Sequence, residues 1–115
     1  YHWGDKSLID KYEIIRKSGA EAVILVANET EGSILVREVA SLPEEHRLPL
    51  ISHWGVSGGA FTELTGDAIE KVDFSVVQTY SFFDNKRPEN LKRFYATVKK
   101  LFDVNGPEDI PSPVG

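Results

Sequence analysis

The residues best suited to chemistry lie in one short run. His53-Trp54-Gly55-Val56-Ser57-Gly58-Gly59 follows a brief apolar stretch, and Gly55 to Gly59 has the G-x-S-x-G spacing of a nucleophile elbow. A hydrolytic Ser needs a His base held by a carboxylate, and in that fold the His follows the Ser along the chain. His2, His46 and His53 all precede Ser57, so no downstream base exists. A Gly-rich turn that exploits positive φ is the stronger reading of the run. As a phosphate cradle it lacks both the Walker Lys-Ser/Thr pair and the full G-x-G-x-x-G. The three His are too scattered for a metal site. With no Cys in the chain, thiolate nucleophiles, disulfides and Cys-based zinc sites are excluded. No catalytic residue, metal or cofactor is therefore expected.

Binding chemistry has better candidates. Trp54 offers a flat apolar wall that can stack on an aromatic group or hold a cation over its face; the competing reading is a core Trp packed under its loop. His53 can donate to a ligand or cap a strand end. Glu29 follows an apolar run directly, where its carboxylate could meet a ligand ammonium, whereas Glu31 suits the dipole of a following helix. Tyr80 and Phe82-Phe83 either line a pocket or close the core.

The composition narrows the partners. The chain has 115 residues, 41% of them hydrophobic, and a net charge of −5. That is enough for one domain with a core. The acidic balance argues against nucleic acid, because phosphate backbones demand clustered cations. The one dense basic patch, Lys92-Arg93 with Lys99-Lys100, reads as the wet face of a helix. No run approaches the roughly 18–20 apolar residues that span a bilayer. No signal peptide is visible, and the first residue is not Met, so a segment of a longer or processed product is expected.

The elements that must position these residues follow from periodicity. Ser7 and Asp10 have capping-box spacing. Leu8, Tyr12 and Ile15 then recur at helical intervals, and Gly19 stops that helix. Ala22 to Ala27 is short, continuous and β-branched, as a parallel strand buried on both faces would be. Asn28 to Gly32 breaks it. Ile34, Leu35, Val36 and Val39 stripe a second helix, and Leu42 to Arg47 is a polar turn. Pro49 to His53 forms a second strand, Trp54 to Gly59 a loop, Ala60 to Leu64 a short helix, and Phe74 to Tyr80 a third strand. Phe82 to Arg87 connects to Pro88, a favoured first helical residue. Leu91, Phe94, Tyr95, Val98, Leu101 and Phe102 stripe the last helix, and residues from Asn105 onward are rich in Pro and Gly. This alternation implies an α/β domain with right-handed crossovers and a mostly parallel sheet. Ligands of such sheets gather beyond the carboxyl ends of the strands, here Asn28 to Gly32, His53 to Gly59 and Tyr80 to Asp84.

The ordered series also resembles a known family. Ser18-Gly19-Ala20-Glu21-Ala22-Val23-Ile24-Leu25-Val26-Ala27-Asn28-Glu29, with Glu31 opening a helix, resembles a strand-then-helix segment of type I periplasmic solute-binding proteins of the branched-chain-amino-acid type. Pro49 to Gly59 resembles the next strand and its ligand loop. Thr65-Gly66-Asp67-Ala68-Ile69-Glu70-Lys71-Val72 resembles the run before the following strand. Gly4 to Ser7, Gln78-Thr79-Tyr80 and the helix from Pro88 to Phe102 keep the family's order.

The resemblance implies a Rossmann-like lobe with helices on both faces of its sheet. Residues 1–104 would be most of a second lobe plus a crossing helix, and 105–115 a loose tail. A small solute would be trapped against a first lobe by hinge closure. Partners would be that lobe and an ABC permease, in the periplasm or outside the cell, or the signalling part of a ligand-sensing receptor. The isolated segment has a wall that can drive self-association.

By the same resemblance, ligand contacts fall on Asn28 and Glu29 after one strand and on His53, Trp54 and Gly55 after the next; Tyr80, at the third strand end, is a further candidate from its position. Trp54 stands at or beside the place where amino-acid binders carry an acidic residue. That departure favours an aromatic, amide-like or quaternary-amine ligand, with Glu29 supplying the charge. Two other classes compete. A receiver-like signalling module needs an acidic cluster and a phosphorylatable Asp at a strand end, where this chain has Asn28 and His53. A hydrolase needs the base that Ser57 lacks.

Overall fold

The structure is a computed structural model that describes residues 1–57, 60–78, 88–105 and 109. Four α-helices alternate with three strands: α1 (Ile9–Lys17), β1 (Val23–Leu25), α2 (Glu29–Ala40), β2 (Leu50–His53), α3 (Phe61–Thr65), β3 (Phe74–Val77) and α4 (Pro88–Phe102). Short 3-10 turns occupy Glu44–His46, Trp54–Val56 and Gly66–Lys71. The strands form a parallel sheet in the order β1-β2-β3. The α/β class and the parallel sheet expected from the sequence are present. Thr79, Tyr80, the connector expected over Phe82 to Arg87, Gly58, Gly59 and nearly all of the tail lie outside the described residues.

The register explains the core. Val23 pairs with Leu50 and Leu50 with Phe74; Leu25 pairs with Ser52 and Ser52 with Val76. Side chains alternate along a strand, so these residues share one face. Against that face pack Leu8 and Tyr12 from the α1 region, Leu35, Val36 and Val39 from α2, Val56, and Phe61 from α3. Ser52, the one polar residue among these strand positions, is satisfied because its hydroxyl donates to the Leu25 carbonyl at 2.8 Å.

The opposite face corrects two expectations. Ile24, Val26 and Val77 are 79%, 68% and 67% exposed, so β1 is not buried on both sides. Nor do the described residues place a packed helix layer on both faces. The strand order gives the reason. The connections β1-α2-β2 and β2-α3-β3 both step across the sheet in the same direction, and right-handed crossovers taken in one direction put their helices on one side. A second layer needs a reversal of strand order, which these three strands lack. α4 does not supply the layer, since Ile24, Val26 and Val77 remain exposed.

Two helix starts also differ from expectation. No side-chain cap forms at α1; the Ser7–Asp10 capping box is absent because Leu8 takes the cap position. The Leu8 N–H instead donates to Glu38 of α2 at 2.8 Å. The expected break over Asn28 to Gly32 is helical from Glu29 onward. Gly32 is not a breaker but a close-packing site. A Cβ there would lie 2.9 Å from Val56 Cγ1 and 3.3 Å from Phe61 Cε2. Gly19 does end α1, at φ +86. No described helix is long and apolar enough to cross a membrane.

Candidate functional site at the strand ends

Parallel pairing of β1 and β2 brings their carboxyl ends side by side, and with them five of the six sequence-derived candidates. Asn28 caps α2 from extended backbone, with φ −86 and ψ 179, and its side chain makes no capping hydrogen bond. Its carbonyl accepts the Gly32 N–H at 2.9 Å. The side chain is exposed, and Glu29 beside it is half-buried. The amino end of α2, with its partial positive charge, therefore opens at this edge. Tyr80, the sixth candidate, lies outside the described residues.

The second loop is built around His53. Its Nδ1 accepts the Gly55 N–H at 3.0 Å, so the neutral ring carries its proton on Nε2. That Nε2 is enclosed and has no hydrogen-bond partner among the described residues. The imidazole meets the Trp54 ring edge-on, with centroids 5.6 Å apart and planes at 88°. A Cβ on Gly55 would come within 2.5 Å of His53 Cε1 and 3.1 Å of the Ala27 carbonyl. Gly55 is thus where this loop meets the end of β1. Val56 anchors the turn in the core.

Trp54 is 49% exposed, which decides between its two readings: it is not a core residue. Ser57 is committed to the turn. Its hydroxyl donates to the Trp54 carbonyl at 2.7 Å, and its N–H reaches the same oxygen at 3.0 Å. The Ser57 hydroxyl thus donates to a backbone carbonyl and not to an imidazole. Among the described residues, no group of three or more His, Asp or Glu is placed to hold a metal.

Two contacts near this edge carry no sequence signal. Glu31, read as a dipole partner, is only 3% exposed, and its Oε1 accepts the Gly4 N–H at 3.2 Å. Tyr1 donates its hydroxyl to the Val26 carbonyl at 2.9 Å. Burial, and then the negative charge of Glu31, raise the pKa of that phenol. Both contacts join residues at least 25 positions apart, a separation no local pattern reports.

Two concavities are lined by described residues away from Trp54. One of about 160 Å³ runs between α1 and β1, lined by Tyr12, Ile15, Val23 and Leu25 among others. An open hollow of about 390 Å³ flanks α4 at Asn90, Arg93, Phe94 and Thr97. Among the described residues the sheet has no reversal of strand order, the place where open α/β sheets usually hold ligands. Comparison with known proteins assigns no family: no family model, curated protein or solved structure matches this chain.

Proposed function

We propose that this chain forms one wall of an extracytoplasmic small-solute-binding site, as a lobe of an ABC-transporter solute-binding protein, and that it is not an enzyme. The observation that supports this reading is the exposed Trp54 ring, held beside the open amino end of α2 by the contact between Gly55 and the end of β1. An aromatic face next to a polar helix end suits a ligand that is flat or cationic in one part and polar in another. Asn28 and Glu29 supply the polar contacts, and His53 and Trp54 the apolar ones. A wall of this kind binds weakly alone and needs an opposing surface from the rest of a two-lobed receptor.

The test is a thermal-shift titration of the full-length protein against amino acids, aromatic acids, amides and quaternary amines. A ligand that binds only the native state raises the melting temperature by mass action. A shift is expected with an aromatic or quaternary-amine compound and is lost in Trp54→Ala. Because Trp54 is outside the core, that variant should keep the wild-type circular dichroism. An undiminished shift in Trp54→Ala, or no shift with any class, rejects the proposal.

A further inference from the structure

Among the described residues β1 is an edge strand: the order β1-β2-β3 pairs it with β2 alone. The Val23 N–H donates to the Pro49 carbonyl at 2.9 Å, so Val23, and Leu25 two residues on, turn their backbone groups toward β2. Successive residues of a strand turn these groups to opposite sides. The N–H and carbonyl of Ile24 and of Val26 therefore aim at the open edge. The Val26 carbonyl accepts the Tyr1 hydroxyl at 2.9 Å, as that direction requires.

The surroundings of this edge are apolar. The hollow of about 160 Å³ between α1 and β1 runs beside it, lined by Tyr1, Ile15, Ile24 and Val26, all exposed. Edge strands are ordinarily guarded by charged side chains, Pro or a bulge. Ala22 to Ala27 carries neither a charge nor Pro. Lys11, on the rim of the hollow, is paired with Asp5 at 3.4 Å, so its charge is already matched.

We propose that two copies of the chain pair edge to edge through β1, antiparallel, about a twofold axis at Ile24. The Ile24 N–H and carbonyl then exchange bonds in both directions with Ile24 of the second copy, the self-complementary match that a twofold contact needs. In this register Val26 lies opposite Ala22, and Ala27 opposite Glu21, so no like charges face each other across the seam. The Val26 carbonyl keeps a second lone pair for the Ala22 N–H. Centring the pair on Val26 instead would crowd both Tyr1 side chains onto the axis. An axis perpendicular to the sheet keeps the two α1 helices on one side of it, with the exposed Ile15 of each beside the seam. The inference is independent of any solute bound at Trp54.

Sedimentation equilibrium from low to high micromolar concentration tests the association, and single-Cys variants test its geometry against a chain that has no Cys of its own. The wild type is expected to dimerise. Residues facing each other in a hydrogen-bonded antiparallel pair have Cα atoms about 5.5 Å apart, within reach of a disulfide. Ile24→Cys should therefore link two copies when diamide is added under native conditions. Ile51→Cys is level with Ile24 but one strand further in. Three strand spacings, about 14 Å, would separate it from its copy, and it should not link. Both side chains are exposed, so both variants should keep wild-type circular dichroism. A wild type that stays monomeric throughout overturns the proposal. So does a dimer in which Ile51→Cys links as readily as Ile24→Cys, which would mean that the open sheet faces pack together. A dimer in which Ile24→Cys fails to link overturns it as well.

Discussion

Tyr12 joins α1 to the segment entering β2 through one oxygen. Its hydroxyl donates to the His46 carbonyl at 2.9 Å and accepts the Leu48 N–H at 2.7 Å, and the residue is buried. Tyr12→Phe leaves both backbone groups without this partner, at a cost of about 1–3 kcal/mol. A lower urea midpoint with an unchanged m-value is the expected result. Acid sensitivity also belongs to single residues. The Arg16 guanidinium, hydrogen-bonded at 2.8 Å, holds the Glu13 carboxyl below its ordinary 4.5, and the His2 N–H holds Asp5 below 3.8. A carboxylate whose pKa is lower in the folded state binds fewer protons there than when unfolded, so its contribution is full above the ordinary value and fades as pH falls through the folded one. The melting temperature should therefore drop as pH goes below about 4.5. Arg16→Gln should flatten part of that fall, and added salt should mute it, since these pairs are solvent-screened.

At the scale of the element, α2 carries the most constraint. It packs on the sheet through Leu35, Val36 and Val39, and its Glu31 and Glu38 carboxylates bind the Gly4 and Leu8 amides. Gly32→Ala gains about 1 kcal/mol of helix propensity, but overpacking against stiff, fully buried Val56 costs about 1–3 kcal/mol, for a net loss of about 1. A chemical denaturation curve decides the sign; stabilisation would mean that Val56 moves freely. Gly32 also marks how far the sequence could be read. The apolar stripes of Leu8 with Tyr12 and of Leu35, Val36 and Val39, the β-branched run at Val23 and the Pro88 start are local signals, and each gave its element. Gly32 reads locally as a breaker, and only its distant neighbours make it a packing residue. The exposed face of β1 was illegible for the same reason. An unbroken apolar run does not say what lies opposite it, and strand order is set by pairing across more than 20 residues. At the candidate site, polar and aromatic residues at strand ends could be located from the alternation of elements. The His53–Gly55 bond and the Ser57–Trp54 bond, which set what those residues are free to do, could not.

At the scale of the whole molecule, α4 differs from the other long helices in having no fully buried residue. Limited trypsin digestion at low protein concentration should cut first at Lys92, Arg93, Lys99 or Lys100, ahead of Arg37 and Arg47. Arg47 is held by the Leu42 and Lys71 carbonyls at 2.8 and 3.1 Å, while no residue of α4 is fully buried and the helix can open locally. First cuts elsewhere in the chain would contradict that difference. The uninterrupted β1-β2-β3 order has a further consequence, for the path by which the chain folds. β2 belongs to both crossover units, and fully buried Leu50 is aligned with Val23 on one side and Phe74 on the other. Neither edge strand has a template until β2 is in place, which puts the folding nucleus at β2 and α2. Leu50→Ala, a loss of about 2–5 kcal/mol, should then act mainly by slowing folding, whereas Tyr12→Phe at the periphery should act mainly by speeding unfolding. In stopped-flow kinetics the first change would move the refolding limb and the second the unfolding limb. A sheet wound in one direction is in this sense assembled outward from its middle strand, and the rate of that first pairing sets the time for which its bare face is open to another chain.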